Sequence, residues 1–461
     1  MKYNLSTRSL QDIKWTDSIT NILLAALQAV DPLQAIKKFI KRSGYHLSIG
    51  DLSFNLKQLN RVLLVGAGKA SYPMAVSVAQ ILGSYLTEGT IIIKDGHRIN
   101  ENDLSFCLPQ SVEVIEASHP IPDKRGLQGT SQIIDLLKKT QSDDLVICLL
   151  SGGGSALMFA PYPEISLPEL QELNEQLLAC GATINEINIL RKHLDQVKGG
   201  RLAELAVPAN LVSLILSDVI GDPLDVIASG PTAPDPSTNT DALSIIYRYD
   251  LINNIPSSIS KFLKNRSNNN LQETPKPDNP IFNKVHNVII GNNLIAAEAA
   301  QEQATLEGMN SLILTTYLQG EARQAGPCLA AIAKQIVKSG HPIEIPACVI
   351  AGGETIVKLL GDGKGGRNQE LALSTVNHLA GLDNVYFITL ATDGGDGPTD
   401  AAGAIVTGNT LDNARNFGMN PEDYLARNDS YHFFQALGDL LKPGPTLTNV
   451  NDLTFIFAMP S

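Results

Sequence analysis

The chain has 461 residues, 43% of them apolar and 18% charged, which allows a sizeable core and excludes wholesale disorder. Its 35 Lys and Arg stand against 47 Asp and Glu, a net charge of −12, so a general nucleic-acid or anionic-membrane binder is a poor fit. The length suggests about three domains, and any anionic ligand must be met by local positive features.

Near the N-terminus, the apolar run Ile22–Leu27 is too short for a signal segment; Asp17 precedes it and Asp31-Pro32 follows. No stretch approaches the ~18 apolar residues of a membrane span. Five scattered cysteines, with no C-x-x-C pair, argue against a disulfide framework. The histidines show no H-x-x-x-H spacing for a zinc cage. The chain reads as soluble and cytoplasmic.

Seven short apolar runs then end abruptly in small or polar residues. They are Val62–Val65 before Gly66-Ala67-Gly68, Leu145–Leu150 before Ser151-Gly152-Gly153-Gly154, and Leu211–Leu216 before Ser217-Asp218. Further on come Val288–Ile290 before Gly291-Asn292-Asn293, Leu312–Leu314 leading to Gly320-Glu321, Cys348–Ala351 before Gly352-Gly353-Glu354, and Val385–Ala391 before Thr392-Asp393-Gly394. Unalternating runs suit strands buried on both faces of a parallel sheet, with helical crossovers between them. Ser166-Leu167-Pro168-Glu169 predicts a capped helix start. Leucines 167, 170, 173, 177 and 178 form its apolar face, and Gly181 stops it. A second helix is expected over Glu370–Leu379.

Asn265 to Pro280 carries Asn268-Asn269-Asn270 and three prolines, with few apolar residues, and reads as a linker. This reduces three domains to two: an α/β domain over 1–264, a loop at 265–284, and a second α/β domain over 285–461. A terminal helix can still cross to the other domain.

In open α/β sheets, ligands bind beyond the carboxyl ends of the strands, where all seven clusters would lie. Gly66-Ala67-Gly68 begins a dinucleotide fingerprint, but Ser71 takes the third glycine position. Lys69 can meet a phosphate or carboxylate, or simply be solvated. The loop Ser151-Gly152-Gly153-Gly154-Ser155 suits an anion cradle; it is neither a Walker A loop nor a nucleophile elbow. Arg191, Lys192, His193, Lys198 and Arg201 form a local positive cluster, either an anion-focusing patch or a solvated helix face. Asp218 and Asp222 follow a strand, where carboxylates serve Mg²⁺ or a general base, or merely favour turns. Arg367 ends the Gly-rich stretch 361–366 as an anion clamp. Asp393, Asp396 and Asp400 alternate with glycines, either as metal ligands or as an acidic loop.

Together these segments resemble the glycerate 2-kinases of the MOFRL family, some of which carry the older label hydroxypyruvate reductase. The resemblance runs through VGAGKAS at 65–71, SHPIPD at 118–123, LLSGGGSAL at 149–157 and INEINILRKHLDQVKGGRLA at 184–203. It continues through SDVIGDPLDVIASGPT at 217–232, GGE at 352–354, GGRNQELAL at 365–373 and ATDGGDGPTDAAGA at 391–404. Three positions depart from the family's usual residues: Ser118 for Gly, Asp195 for Ser and Gly395 for Thr.

The resemblance implies ATP-dependent, Mg²⁺-assisted phosphorylation of D-glycerate at its C2 hydroxyl. It also implies two α/β domains with mainly parallel sheets, the first Rossmann-like and the second containing the MOFRL region, with the active site in the cleft between them. The expected catalytic residues are Lys69, Asp218 and Arg367. Cofactor contacts are expected from Gly152, Gly153, Gly154, Ser155, Glu354 and Asn293, and substrate contacts from Ser151, Arg191 and Lys192. Asp218, Asp393 and Asp396 are the expected metal ligands. The small-molecule partners would be D-glycerate and ATP, with no nucleic acid or membrane, and a homodimer is left open. Two alternatives stand beside this reading: a nicotinamide-dependent hydroxypyruvate reductase, and a non-catalytic phosphometabolite-binding protein.

Overall fold

The computed structural model describes residues 3–11, 13–98, 107–269 and 273–460. The chain forms two compact units, Pro32–Ile290 and a second made of Met1–Asp31 with Gly291–Ser461.

The first unit opens with a small antiparallel sheet of β1 (Ile40–Ser43), β2 (His46–Ile49) and β3 (Leu52–Asn55). Its main sheet contains β4 (Val62–Ala67), β5 (Leu86–Lys94), β6 (Val112–Ala117), β7 (Leu145–Leu150), β8 (Asn210–Leu216) and β9 (Val285–Gly291). Their spatial order is β6-β5-β4-β7-β8-β9, and the pairings from β6 through β8 are parallel. Every residue of β4 and β7 is buried, because both faces are covered. Leu63, Val65 and Ala67 share one core with Ile133 and Leu137 of the helix Lys124–Leu137 and with Leu202 and Ala206 of the helix Arg201–Ala206. The chain builds outward from β4 through β5 to β6, then returns to place β7 on the other side. That reversal is a topological switch point, where ligands bind in open α/β sheets.

Four helices, Leu167–Ala179, Ile184–His193, Asn239–Arg248 and Ser257–Asn269, pack around a separate core that includes Leu173, Leu190, Ile246 and Leu263. The predicted capping box is present, with Ser166 N–H and O–H both donating to Glu169. Leu178 departs from the predicted apolar face and is 69% exposed.

The second unit begins with the helix Thr16–Ala29, which packs on the helix Asn293–Leu306. Its sheet contains β10 (Asn310–Leu318), β11 (Ala347–Gly353), β12 (Val385–Ala391), β13 (Gly403–Thr407), β14 (Leu440–Leu441) and β15 (Asp452–Ala458), in the order β10-β11-β15-β12-β13-β14.

All seven apolar runs are strands, but the second sheet is mixed rather than mainly parallel. Only β10 and β11 pair in parallel; β15 runs antiparallel between β11 and β12. Strands buried on both faces look alike in sequence whichever way they run.

The division into units also differs from the expected split after 264 with a loop at 265–284. The helix Ser257–Asn269 extends into that stretch, and Ile259, Phe262 and Leu263 bury its apolar face. The Thr274 hydroxyl donates to Asp235 at 3.0 Å, holding the following segment to the first unit. The middle of the stretch, from Asn270 to Gln272, lies outside the described residues. The N-terminal helix has crossed into the second unit. Among the described residues, no single helix is long and apolar enough to cross a membrane.

Candidate active site

In the first unit, β4 to β8 point the same way, so the loops after them gather at one edge of the sheet. Gly66 and Gly68 let the end of β4 press against β7. A Cβ on Gly66 would lie 2.3 Å from Leu149 O, and one on Gly68 2.1 Å from Ser151 Oγ. The incomplete G-x-G motif is thus explained by strand packing. Ser151 is buried, and its hydroxyl accepts from the Ala70 N–H at 3.0 Å. It ties two loops together.

Lys69 donates its N–H to Gly152 O at 2.9 Å, so the lysine and the glycine loop are fixed side by side. Gly153 adopts φ 83°, a left-handed conformation favoured by glycine. A Cβ there would stand 2.9 Å from the His119 ring. Burial, with Lys69, Lys94 and His97 nearby, pushes the His119 pKa down to about 4, so its imidazole is neutral at pH 7. His97 Nδ1 lies 3.2 Å from Lys69 O. The loop therefore sits among cations plus one neutral histidine, a set able to receive an anion.

Beyond the loop, Ser155 Oγ lies 2.7 Å from Ser229 Oγ, and Ser229 donates to Asn188 Oδ1 at 3.1 Å. Ala228 and Ser229 both hold left-handed φ values, 51° and 62°. Such strain in non-glycine residues is frequent at functional sites. Asp218, half-buried, follows directly on β8 at the same edge.

The positive cluster on 184–201 is not a solvated face. Lys192 is buried and paired with Asp225 at 3.1 Å and Asp235 at 3.2 Å, which holds its ammonium in place. Lys198 is also buried, donating to Met158 O and Asp195. Asp195 in turn accepts from the N–H groups of Ala160 and Val197. The unusual carboxylate at this position is therefore a backbone staple offset by Lys198. Arg191 remains available to a ligand. Both its contacts are to one neutral oxygen, Asn174 Oδ1.

In the second unit, the loops after β10, β11 and β12 share an edge with the start of β15. Asp452, the first residue of β15, is opposite both Gly353 and Ala391. Arg367 opens the helix Arg367–Leu379, three residues earlier than predicted. Its guanidinium pairs with both oxygens of Asp452 and with Glu354 at 3.0 Å. Burial works against the Arg367 charge, but these carboxylates outweigh it and raise its pKa. Burial raises the pKa of Asp452, and Arg367 only partly opposes that shift. Glu354, expected to contact cofactor, thus has Arg367 as a partner.

Asn293 is buried and its amide donates to Val450 O at 2.9 Å and Asp452 O at 3.0 Å. Its amide nitrogen clamps the approach to β15, while its Oδ1 is buried with no hydrogen-bond partner among the described residues. Asp396 is buried and accepts the N–H groups of Asn368 and Gln369, capping the Arg367 helix. Desolvation raises its pKa to about 7. Its oxygens are thus engaged in capping the helix. Asp393 is exposed, with one oxygen accepting from Gly395 N–H. Among the described residues no group of three or more His, Cys, Asp or Glu is arranged to hold an ion. Mg²⁺ that arrives with nucleotide phosphates needs only one or two protein carboxylates, and Asp218 in the first unit and Asp393 in the second are separate candidates for that lesser demand.

Sequence reasoning missed His119, Lys94, Asn174, Asn188, Ser229 and Asp452 as site residues. His119 lay inside a quoted motif. Asp452 becomes significant only once β15 is threaded between β11 and β12.

Comparison with known proteins places the chain in a family. Residues 18–264 match a domain of unknown function, DUF4147, and residues 347–452 match the MOFRL family. The chain is 42% identical to the D-glycerate 2-kinase of Thermotoga maritima, over 94% of this chain and 95% of that one. It is 39% identical to the glycerate 2-kinase of Pyrococcus horikoshii, over 93% and 94%. The crystal structure of the Thermotoga maritima glycerate kinase superposes with a TM-score of 0.85 at 40% identity, covering 96% of this chain and 99% of that one. The chain belongs to the glycerate 2-kinases of the MOFRL family.

Proposed function

We propose that the protein transfers the γ-phosphoryl group of ATP to the C2 hydroxyl of D-glycerate, giving 2-phosphoglycerate and ADP. The observation that carries this reading is the anion-receiving edge of the first unit, Lys69 beside the Gly152–Gly154 loop, in a chain similar end to end to glycerate 2-kinases.

Phosphoryl transfer needs alignment, cations near the phosphates and a positioned nucleophile rather than covalent help. Arg191 holds the glycerate carboxylate. Asp218 orients the C2 hydroxyl and accepts its proton. The glycine loop and Lys69 receive phosphoryl oxygens, and Arg367 neutralises charge on the transferred group. Asp218 or Asp393 would hold Mg²⁺ brought in with the nucleotide, and the ion would supply further charge neutralisation.

The test is glycerate-dependent ADP release with Mg-ATP, read alongside a coupled assay with an enzyme that dehydrates only the 2-phospho isomer. ADP release with immediate dehydration supports the reading. Release without it moves the phosphate to C3. Loss of NADH absorbance with hydroxypyruvate and no nucleotide would instead favour a reductase.

A further inference from the structure

Arg191 and Lys192 are adjacent on the helix Ile184–His193, yet their partners differ in kind. Lys192 is met by two carboxylates, Asp225 and Asp235. Arg191 has no carboxylate within ion-pair distance among the described residues. Its Nε and Nη2 both donate to Asn174 Oδ1, at 3.3 and 3.2 Å. Asn174 lies on the neighbouring helix Leu167–Ala179. Its own Nδ2 donates to Leu170 O at 2.9 Å, which fixes the amide with its oxygen toward Arg191. Ser155, Asn174, Arg191, Asp195 and Lys198 line a pocket of about 20 Å³ next to the glycine loop. Asp195 is the one carboxylate there, and it is already engaged by Lys198 and two backbone N–H groups.

Taking a guanidinium partly out of water without an anion costs several kcal/mol, and the shift of Arg191 away from its charged form reflects that burial. The C-terminal end of its helix offsets part of this cost. A carboxylate at position 174 would offset far more, but it would occupy the charge. A neutral oxygen orients the fork and leaves it positive. The pocket leaves space beside the guanidinium for an oxygen of the substrate.

We propose that Asn174 is a positioning residue for substrate acid recognition, aiming Arg191 with a neutral acceptor so that its charge is kept for the carboxylate of the substrate. This rests on the reading of the protein as a glycerate kinase.

The test compares Asn174→Asp, Asn174→Ala and Arg191→Ala in the full-length protein. Steady-state KM and kcat are measured for glycerate and ATP, with melting temperature measured without ligand. Asn174→Asp should raise the glycerate KM at least tenfold, leave the ATP KM within twofold, and melt no lower than the unaltered protein, because the new carboxylate compensates Arg191. Asn174→Ala should raise the glycerate KM by a smaller factor and melt lower. A merely structural role predicts the reverse for Asn174→Asp, a lower melting temperature with an unchanged glycerate KM. That result, with a raised KM in Arg191→Ala, overturns the role of Asn174 and spares Arg191 as the anchor. An unchanged KM in Arg191→Ala overturns both. Absence of glycerate turnover in the unaltered protein overturns the functional reading and the proposal with it.

Discussion

Arg191 in the first unit and Arg367 in the second both stand at helix ends, but at opposite ends, and their partners follow. Arg191 lies in the last turn of its helix, where the backbone dipole favours a cation. It manages with a neutral acceptor. Arg367 is the first residue of its helix, where the dipole opposes a cation, and it is surrounded by Asp452, Glu354 and the capping Asp396. One edge is thus left poised for an anion, while the other is internally compensated and rigid before any ligand arrives. Two arginines that sequence alone does not tell apart differ in partner: one is met by a neutral oxygen, the other by carboxylates.

The sharpest way to break that contrast is to remove a cation from each side. Lys69→Ala should lower kcat by about 10²–10³-fold, the effect of losing one preorganised electrostatic contact, with melting temperature nearly unchanged. Arg367→Ala should lower kcat similarly and also cost about 3–5 kcal/mol of stability, because it leaves the buried Asp452 carboxylate without its cation. Turnover assays with calorimetry on the same preparations decide it. Equal stability losses in both variants would erase the distinction.

Asp218→Asn comes next, with an expected kcat loss of about 10²–10⁴-fold if it takes the proton and a glycerate KM within a few-fold. Near-normal kcat would remove Asp218 from the mechanism. Gly153→Ala should do less to chemistry than to affinity. It forces a Cβ against His119 at a left-handed φ, a strain of about 1–3 kcal/mol. A rise in KM together with a fall in melting temperature is expected.

The strand ends that carry these groups were legible because buried strands leave unbroken apolar runs and their ends switch abruptly to glycine and polar residues. Strand direction was not legible. Asp452 could not be placed from sequence for that reason, since its meaning depends on β15 running backward between two strands more than 60 residues upstream of it. The burial and pairing of Lys192 and Asp396 were illegible for a different reason. Charge in a sequence says nothing about whether a partner is folded against it, and both are buried beside theirs. The run of the helix past 264 was not legible because its last turn, Asn265 to Asn269, is wholly polar, and its buried apolar positions, Ile259, Phe262 and Leu263, lie before it.

The smallest effect is also the one that separates the two units by sign. His119 has its pKa lowered from an ordinary 6.5 to about 4. The unfolded chain takes up that proton first, so the contribution of His119 to stability is lost as pH falls from about 6.5 toward 4. Asp396 has its pKa raised from 3.8 to about 7. The folded chain holds that proton more tightly, so its contribution grows as pH falls from about 7 toward 4. Melting curves of His119→Gln and Asp396→Asn between pH 4.5 and 7.5, each subtracted from the unaltered protein, should therefore slope in opposite directions. His119→Gln should lose relative stability as pH rises through that window, because the neutral histidine it lacks is an advantage only near neutrality. Asp396→Asn should gain relative stability over the same rise, because it removes a carboxylate that must ionise in a dry site. Parallel slopes would mean that one of the two groups is solvated in solution. The variant whose slope departs from its sign would identify which.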